Sequence, residues 1–393
     1  MRKANGGLKP PNPFNPGSPI DPSEFVGRQK QLDDFAQKLR QTAQGSLASM
    51  SVIGGYGVGK TSFLHKCRSI AEEEGALTIY LSLNELDNLD RSSLARELIS
   101  RITEKVREEV ILKRISDGVL DVLGRIRVKT ESGIEVSIGQ REQAPNLQAA
   151  LQKAWGALDG HRSAIVFLID EARVLERNRA ELVLYLRAVL EQLQVSRTPV
   201  MIVPAGNLAI TGPSGTGFSP LVRTFPPAVM ENFSQEESLT FAGKKLAQAN
   251  AAITGEAARR AHEVSEGHPY VLTAYLAAAY DKLQAQEHTI SAAHLNATDL
   301  DFTTRALAPF FSRFYDEASP ASKAILARMA AQDGKATLSE LSAALGRNSN
   351  ELSPYLGKLV QEGAVKRVER GRYSVFHHLL AEYVRHRARQ ENA

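Results

Sequence analysis

The stretch Gly54-Gly55-Tyr56-Gly57-Val58-Gly59-Lys60-Thr61 fits the phosphate-binding pattern G-x-x-x-x-G-K-[ST] at every fixed position. An apolar segment of strand character, residues 49–53, precedes it, and residues 62–71 place apolar side chains at helical spacing after it. Glycines allow the backbone angles that let successive N–H groups converge on phosphate oxygens at the positive end of a helix. The stretch therefore predicts a nucleoside triphosphate site. Its predicted contacts are Gly54, Gly55, Tyr56, Gly57, Val58, Gly59, Lys60, Thr61 and Ser62.

A second motif supplies two carboxylates to the same predicted site. The apolar run 164–169 ends in Asp170-Glu171, and ligands bind at the carboxyl ends of the strands in an open α/β sheet. In such a site Lys60 reaches the β- and γ-phosphates, while Thr61 and Asp170 hold Mg²⁺. Glu171 would orient and deprotonate the attacking water, which argues for ATP hydrolysis and not for binding alone.

Two later residues are candidates for the same chemistry. Asn207 follows the apolar strand pattern at 199–204 and would position the lytic water, with a turn cap as the alternative. Arg223 would neutralise transition-state charge, from the same or a neighbouring subunit; a surface or salt-bridged arginine is the alternative. The predicted catalytic residues are Lys60, Glu171, Asn207 and Arg223.

Length and composition predict a cytoplasmic protein of two or three domains, since 393 residues exceed one ordinary domain. The net charge of +4, from 48 basic and 44 acidic residues, is too small to prove a nucleic-acid partner. Cys67 is the only cysteine, which excludes an intrachain disulfide framework and a cysteine metal cluster. No apolar run reaches transmembrane length and no apolar signal core follows Met1, so we expect no membrane partner.

Composition also divides the chain. Prolines and glycines at the start predict a leader that cannot bury a core. Alternating strands and helices then predict an α/β fold with the parallel sheet of a P-loop NTPase. The predicted strands are 49–53, 77–82, 164–169, 199–204 and 227–232. The predicted segments are 1–21 (flexible leader), 22–233 (α/β core), 234–299 (helical lid) and 300–393 (winged-helix domain).

The core segment is longer than a minimal P-loop core needs. Alternating residues on both sides of a Ser-Gly turn predict a β-hairpin insertion near 124–138. Three basic side chains on one face of this hairpin would suit nucleic acid. Nearby glutamates dilute that charge, so an ordinary solvated strand face is favoured.

The last segment has the pattern of a winged helix. Helical stretches precede an alternating stretch, 365–376, that turns at Arg370-Gly371. DNA binding would place the third helix in a major groove and the wing against phosphates. The candidate DNA contacts are Arg347, Lys358, Lys366, Arg367, Arg370 and Arg372. Because the third helix is poor in arginine and lysine, a regulatory lid on the core remains the alternative.

These motifs together resemble the STAND ATPases, which are related to the AAA+ class. The chain is most similar to archaeal-type ATPases with a C-terminal winged helix, which also resemble origin-recognition ATPases. The resemblance spans about residues 12–385. It rests on Phe25-Val26-Gly27-Arg28, the phosphate-binding stretch, Asp170-Glu171, Asn207 and Gly267-His268-Pro269.

The resemblance implies roles for two of these motifs. Residues 25–28 would line the adenine pocket, and Pro269 would press on the nucleotide with His268 nearby. The helix at 270–276 has no sensor arginine, which is typical of the STAND branch.

The resulting expectation is a switch that uses ATP and Mg²⁺ and whose nucleotide state controls the winged helix and a partner protein. A DNA-binding ATPase of initiator or transposition-regulator type is the alternative. A nucleotide-dependent homo-oligomer also stays open.

Overall fold

The computed structural model describes residues 10–83, 89–113, 146–158, 160–206, 220–299 and 301–391. The chain forms two compact units. We call them the sheet unit, residues 28–54 and 60–230, and the helical unit, residues 1–27, 55–59 and 231–393.

The sheet unit contains one parallel sheet. Its strands are Ser51–Ile53 (β1), Leu77–Ser82 (β2), Ile165–Asp170 (β3), Val200–Gly206 (β4) and Pro227–Val229 (β5). Their spatial order is β2-β3-β4-β1-β5, and every neighbouring pair is parallel. Every residue of β1, β3 and β4 is buried, as expected of a parallel sheet covered on both faces. The five strands confirm the predicted α/β class with the sheet of a P-loop NTPase.

Helices flank this sheet. They are Gln29–Ala43 (α1), Lys60–Glu73 (α2), Arg91–Lys113 (α3), Leu147–Leu158 (α4), Arg177–Val195 (α5) and Pro220–Thr224 (α6), with a 3-10 turn at Ala172–Glu176. Apolar residues of the helices and strands share one core, in which Leu94, Phe167 and Leu186 are fully buried.

The helical unit carries the remaining elements. Its helices are Gln235–Gln248 (α7), Gly255–Ser265 (α8), Pro269–Asp281 (α9), Ala292–Asp299 (α10), Ala308–Tyr315 (α11), Pro320–Ala330 (α12), Leu338–Leu345 (α13), Ser349–Glu362 (α14) and His378–Glu391 (α15). Short helical turns lie at Pro22–Glu24 and Phe302–Ala306. Its strands are Ala252–Ile253 (β6), Thr289–Ile290 (β7), Lys335–Thr337 (β8), Val365–Glu369 (β9) and Arg372–Val375 (β10). The last three form an antiparallel sheet in the order β8-β10-β9, while β6 and β7 pair in parallel.

Local sequence signals set the helix ends of this unit. Ser234 and Glu237 form a reciprocal capping box at the start of α7, and Thr337 and Glu340 do the same for α13. Helix α14 ends at Gly363, whose φ of 84° lies in the left-handed region that glycine adopts without strain. One continuous apolar core then joins α7 to α15.

The start of the chain requires a correction. The predicted flexible leader, residues 1–21, is wrong for residues 10–21, because this segment packs on the helical unit. The Phe14 ring is 5% exposed and lies 6.3 Å from the Phe241 ring. Asn12 donates a hydrogen bond of 2.9 Å to the Ala277 carbonyl. A proline-rich segment can thus be ordered by one buried aromatic anchor.

Two further expectations bear on other parts of the chain. The predicted hairpin near 124–138 lies outside the described residues. Among the helices that the structure describes, none combines the length and apolar character that a membrane span requires.

Candidate nucleotide site

The phosphate-binding stretch leaves β1 as a glycine-rich loop and enters α2 at Lys60. Gly57 and Gly59 have φ angles of 77° and 93°, in the left-handed region. A Cβ atom on Gly59 would meet nothing within 4 Å, so glycine is needed there for its backbone angles alone. A Cβ atom on Gly57 would lie 2.8 Å from Cε1 of His268 and 2.9 Å from Cβ of Tyr270. At Gly57, glycine is required by space as well.

The two predicted magnesium ligands meet within the sheet unit. The Thr61 hydroxyl donates a hydrogen bond of 2.7 Å to Oδ2 of Asp170. Asp170 ends β3 and is 4% exposed. The Lys60 ammonium, on a side chain that is also buried, donates to the Gly54 carbonyl at 3.1 Å. Hydroxyl and carboxylate oxygens suit Mg²⁺, and a lysine at the positive end of a helix suits phosphate. These residues therefore fit Mg²⁺ and a nucleotide.

Tyr80 is a member of this cluster that the sequence analysis missed. Its hydroxyl donates a 2.9 Å hydrogen bond to Asp170 Oδ2, and its ring stacks on His65 with centroids 5.1 Å apart. Burial and the Asp170 carboxylate raise the pKa of Tyr80, so the phenol stays a hydrogen-bond donor. Only the register of β2 against β3 reveals the contact, because Tyr80 lies 90 positions from Asp170.

Glu171 adopts a strained backbone conformation directly after β3. Its φ of 50° lies in the left-handed region, which costs a residue other than glycine about 1–2 kcal/mol. Its N–H donates a 2.8 Å hydrogen bond to Oδ1 of Asp170. Strain of this kind concentrates at functional sites.

The Phe25-Val26-Gly27-Arg28 motif makes a sharp turn before α1. Gly27 and Arg28 have φ angles of 74° and 62°. The left-handed φ of Gly27 favours glycine there, and a Cβ atom would also lie 2.2 Å from Oε1 of Glu237. Arg28 is 7% exposed, and Val26 packs on the core of the helical unit.

His268 and Pro269 form the start of α9. Pro269 occupies the first turn, and Nδ1 of His268 accepts from the Val271 N–H. The other ring nitrogen of His268 therefore donates to the Tyr56 carbonyl, at 3.0 Å. The pKa of His268 is lowered to about 3, mainly by burial and secondly by the neighbouring His377. The ring is therefore neutral.

The structure does not bring every predicted residue to the site. Asn207 lies outside the described residues. Arg223 is exposed on the short helix α6.

The six candidate DNA contacts are all exposed, and they are Arg347, Lys358, Lys366, Arg367, Arg370 and Arg372. Lys358 pairs with Glu362 at 3.6 Å, and Arg372 pairs with Glu369 at 3.9 Å. These two pairs reduce the positive charge of the surface.

Among the described residues, Glu266, His377 and His378 are close enough together to hold a metal ion. Nε2 of His377 already donates to the Ser265 carbonyl at 2.9 Å, and its Nδ1 accepts from the Leu379 N–H. Both ring nitrogens of His377 are thus used in hydrogen bonds, as in a structural histidine.

Comparisons with known proteins agree with this fold. Residues 24–203 match the family model described as an AAA ATPase domain, and residues 308–384 match a domain of unknown function. The Walker-type ATPase of Pyrococcus abyssi is similar, with a TM-score of 0.60 and 16% identity over 95% of this chain and 99% of that chain. The Aeropyrum pernix ORC2 protein, solved as ADPNP–ADP complexes, is also similar. Its TM-score is 0.58, and it is 13% identical over 98% of this chain and 100% of that chain. No curated protein matches the sequence.

The family match indicates an AAA ATPase domain over residues 24–203, and the two solved structures share the fold of this chain. The segment that matches the AAA ATPase domain contains both the phosphate-binding stretch and Asp170-Glu171. The predicted resemblance to AAA+ ATPases is confirmed over these residues.

Proposed function

We propose that the protein is an ATP-binding and ATP-hydrolysing molecular switch of the STAND branch of the AAA+ class. The observation that carries the proposal is the 2.7 Å contact of the Thr61 hydroxyl with the Asp170 carboxylate, beside the buried Lys60. This hydrogen bond brings together two side chains that lie 109 positions apart in the chain, which supports their assignment as magnesium ligands.

Each residue of the site has a separate task in this proposal. Thr61 and Asp170 would hold Mg²⁺, which when bound neutralises negative charge on the phosphates. The positively charged ammonium of Lys60 contacts the β- and γ-phosphates. Glu171 orients the attacking water and accepts its proton on the carboxylate. Tyr80 fixes the orientation of Asp170 through its hydrogen bond.

The C-terminal part of the helical unit is, in this proposal, a winged helix that acts as the output of the switch. Helices α12, α13 and α14 with the sheet β8-β10-β9 support that assignment. The nucleotide state would set how this module is held and whether it binds a partner protein. A nucleotide-dependent homo-oligomer is compatible with the same proposal.

Two substitutions test the site. Lys60→Ala removes charge-assisted contacts to phosphate and should abolish ATP binding at micromolar concentration in calorimetry. Glu171→Gln should retain Mg²⁺–ATP and lose most turnover, because only the base is removed.

Lys66→Ala, on the same helix α2, is the matched control and should change neither measurement. ATP binding by the Lys60→Ala variant at parental affinity would refute the site. Parental turnover in the Glu171→Gln variant would remove Glu171 from the catalytic role.

A DNA-associated ATPase is the second candidate, and one feature of the wing favours it. Arg370 and Arg372 line an open cavity of about 390 Å³ together with Ser339 and Ser349, near the starts of α13 and α14. Arginines, hydroxyls and helix starts are groups that contact DNA phosphates.

Replacing the four basic wing residues by alanine tests this candidate; they are Lys366, Arg367, Arg370 and Arg372. If the wing binds DNA, the plot of log affinity against log salt should flatten by roughly 0.9 for each phosphate that is no longer neutralised. An unchanged slope, with altered ATP turnover or partner binding, would instead support the switch.

A further inference from the structure

The phosphate-binding loop is held at two consecutive carbonyl groups by the start of α9. Nε2 of His268 donates to the Tyr56 carbonyl at 3.0 Å, and the Tyr270 N–H donates to the Gly57 carbonyl at 3.2 Å. All four residues belong to the helical unit. The His268 ring is neutral and its Nδ1 accepts from the Val271 N–H, so the one ring proton is on Nε2 and is donated to the Tyr56 carbonyl.

These two hydrogen bonds also orient the amides of the loop. The C=O and N–H groups of a trans peptide point in opposite directions, and no described peptide bond is cis. Carbonyls that point toward α9 therefore turn the N–H groups of Gly57 and Val58 away from it. Backbone N–H groups of this loop are the ones that cradle phosphate oxygens. The contact with α9 thus holds the loop in a geometry that suits phosphate.

The side chain of Tyr56, in the same loop, packs against three residues of α11. The Tyr56 ring stacks on Phe310 with centroids 5.4 Å apart and meets the edge of Phe314 at 6.0 Å. The guanidinium carbon of Arg313 lies 3.7 Å from the centre of the Tyr56 ring. Phe310 also stacks on Tyr270, at 4.0 Å. Phe310 therefore contacts the side chain of Tyr56 directly, and it also stacks on Tyr270, which donates to the main chain of the loop.

Helix α11 in turn packs on the end of the chain. The Phe314 ring lies 5.2 Å from the Phe376 ring, and Phe311 lies 5.7 Å from Tyr383. Ring contacts thus form a continuous path from Tyr56 through Phe310 and Phe311 to Tyr383 of α15.

We propose that Tyr56 couples the phosphate-binding loop to α11, so that nucleotide phosphates and the packing of α11 stabilise each other. The coupling rests on the proposed binding of a nucleotide. It is reciprocal, because two events that share one conformation must affect each other by the same factor. Coupling of this kind corresponds to about 5- to 150-fold in affinity.

Two measurements on the full chain with Mg²⁺–ADP test the proposal. The first is ADP affinity, which should fall at least about fivefold in Tyr56→Ala and in Arg313→Gln. The second is hydrogen exchange of the α11 amides, which ADP should slow in the parent. Saturating ADP should not slow this exchange in Tyr56→Ala. Tyr56→Phe retains the ring and should restore both effects.

Arg305→Gln is the matched control for Arg313→Gln. Arg305 lies in the helical turn before α11 with 81% of its side chain exposed, and it pairs with Asp301. Tyr56 is 36% exposed, so we expect Tyr56→Ala to fold. If Tyr56→Ala is unstable, Arg313→Gln still tests the proposal.

The possible outcomes separate the two proposals. If Lys60→Ala still binds ADP like the parent, the proposed nucleotide site fails. Suppose instead that Lys60→Ala no longer binds ADP, while saturating ADP slows hydrogen exchange of the α11 amides in Tyr56→Ala as much as in the parent. In that case only the coupling is refuted.

Discussion

Gly57→Ala should destabilise the protein more than an alanine at another glycine of the same backbone conformation. Gly57 and Gly371 both have a φ of 77° and both lie in the helical unit. Alanine in this region costs about 1–2 kcal/mol at either position. A Cβ atom on Gly371 would meet nothing within 4 Å, so Gly371→Ala measures that backbone cost alone.

The excess cost at Gly57 follows from its neighbours. A new Cβ atom would lie 2.8 Å from His268 and 2.9 Å from Tyr270, so one or both must withdraw. Each of them donates a hydrogen bond to a loop carbonyl, worth about 0.5–1.5 kcal/mol. The free energy of unfolding of Gly57→Ala should therefore lie about 1–3 kcal/mol below that of Gly371→Ala.

Urea unfolding of the two variants, followed by circular dichroism, measures this difference. The same substitution misplaces the loop amides, so the affinity of Gly57→Ala for Mg²⁺–ADP should fall about tenfold or more, since 1.4 kcal/mol is tenfold. Gly371→Ala should bind ADP like the parent. If the two variants have equal free energies of unfolding and equal ADP affinities, the contacts around Gly57 do not contribute the expected difference in stability.

Two further predictions concern the magnesium site and acid stability. Tyr80→Phe removes the hydrogen bond to Asp170 and should weaken Mg²⁺-dependent nucleotide binding about 10-fold, the lower end of the loss typical when a group behind a metal ligand is removed. Tyr185→Phe on α5 is its control, and an unchanged Mg²⁺ titration of Tyr80→Phe would contradict the role. Burial lowers the pKa of His268 to about 3 and of His377 to about 4, below the value of about 6.5 in an unfolded chain. Because the unfolded chain then binds protons that the folded chain does not, this stability is present above about pH 6.5 and is lost as the pH falls toward the folded values. Between pH 7 and pH 5 each histidine should remove about 2 kcal/mol from the free energy of unfolding. His377→Gln should abolish about half of this loss in urea unfolding, and an undiminished loss would assign it to other groups.

Elements whose signals are local could be predicted from the amino-acid sequence alone. The phosphate-binding stretch and the apolar run before Asp170 each lie within a dozen residues, and both predicted their strand and loop. The capping pair of Thr337 and Glu340 likewise defines the start of α13 over four positions. The sheet edge at which Asp170 lies followed from a general rule for parallel sheets.

Composition alone was misleading at the start of the chain. Six prolines between positions 10 and 22 predicted a segment without a core. Composition does not show that a single ring, Phe14, finds a buried place beside Phe241.

Packing in three dimensions was needed to establish which distant side chains complete the site. Tyr80 reaches Asp170 because β2 pairs with β3 in one particular register, and a shift by one residue would turn it to the other face. His268 meets the loop at Tyr56 across 212 positions of the chain, and Phe310 lies still farther along it. Local patterns set the backbone of each element. Contacts between elements depend on how whole surfaces pack, and no short stretch of sequence contains that information.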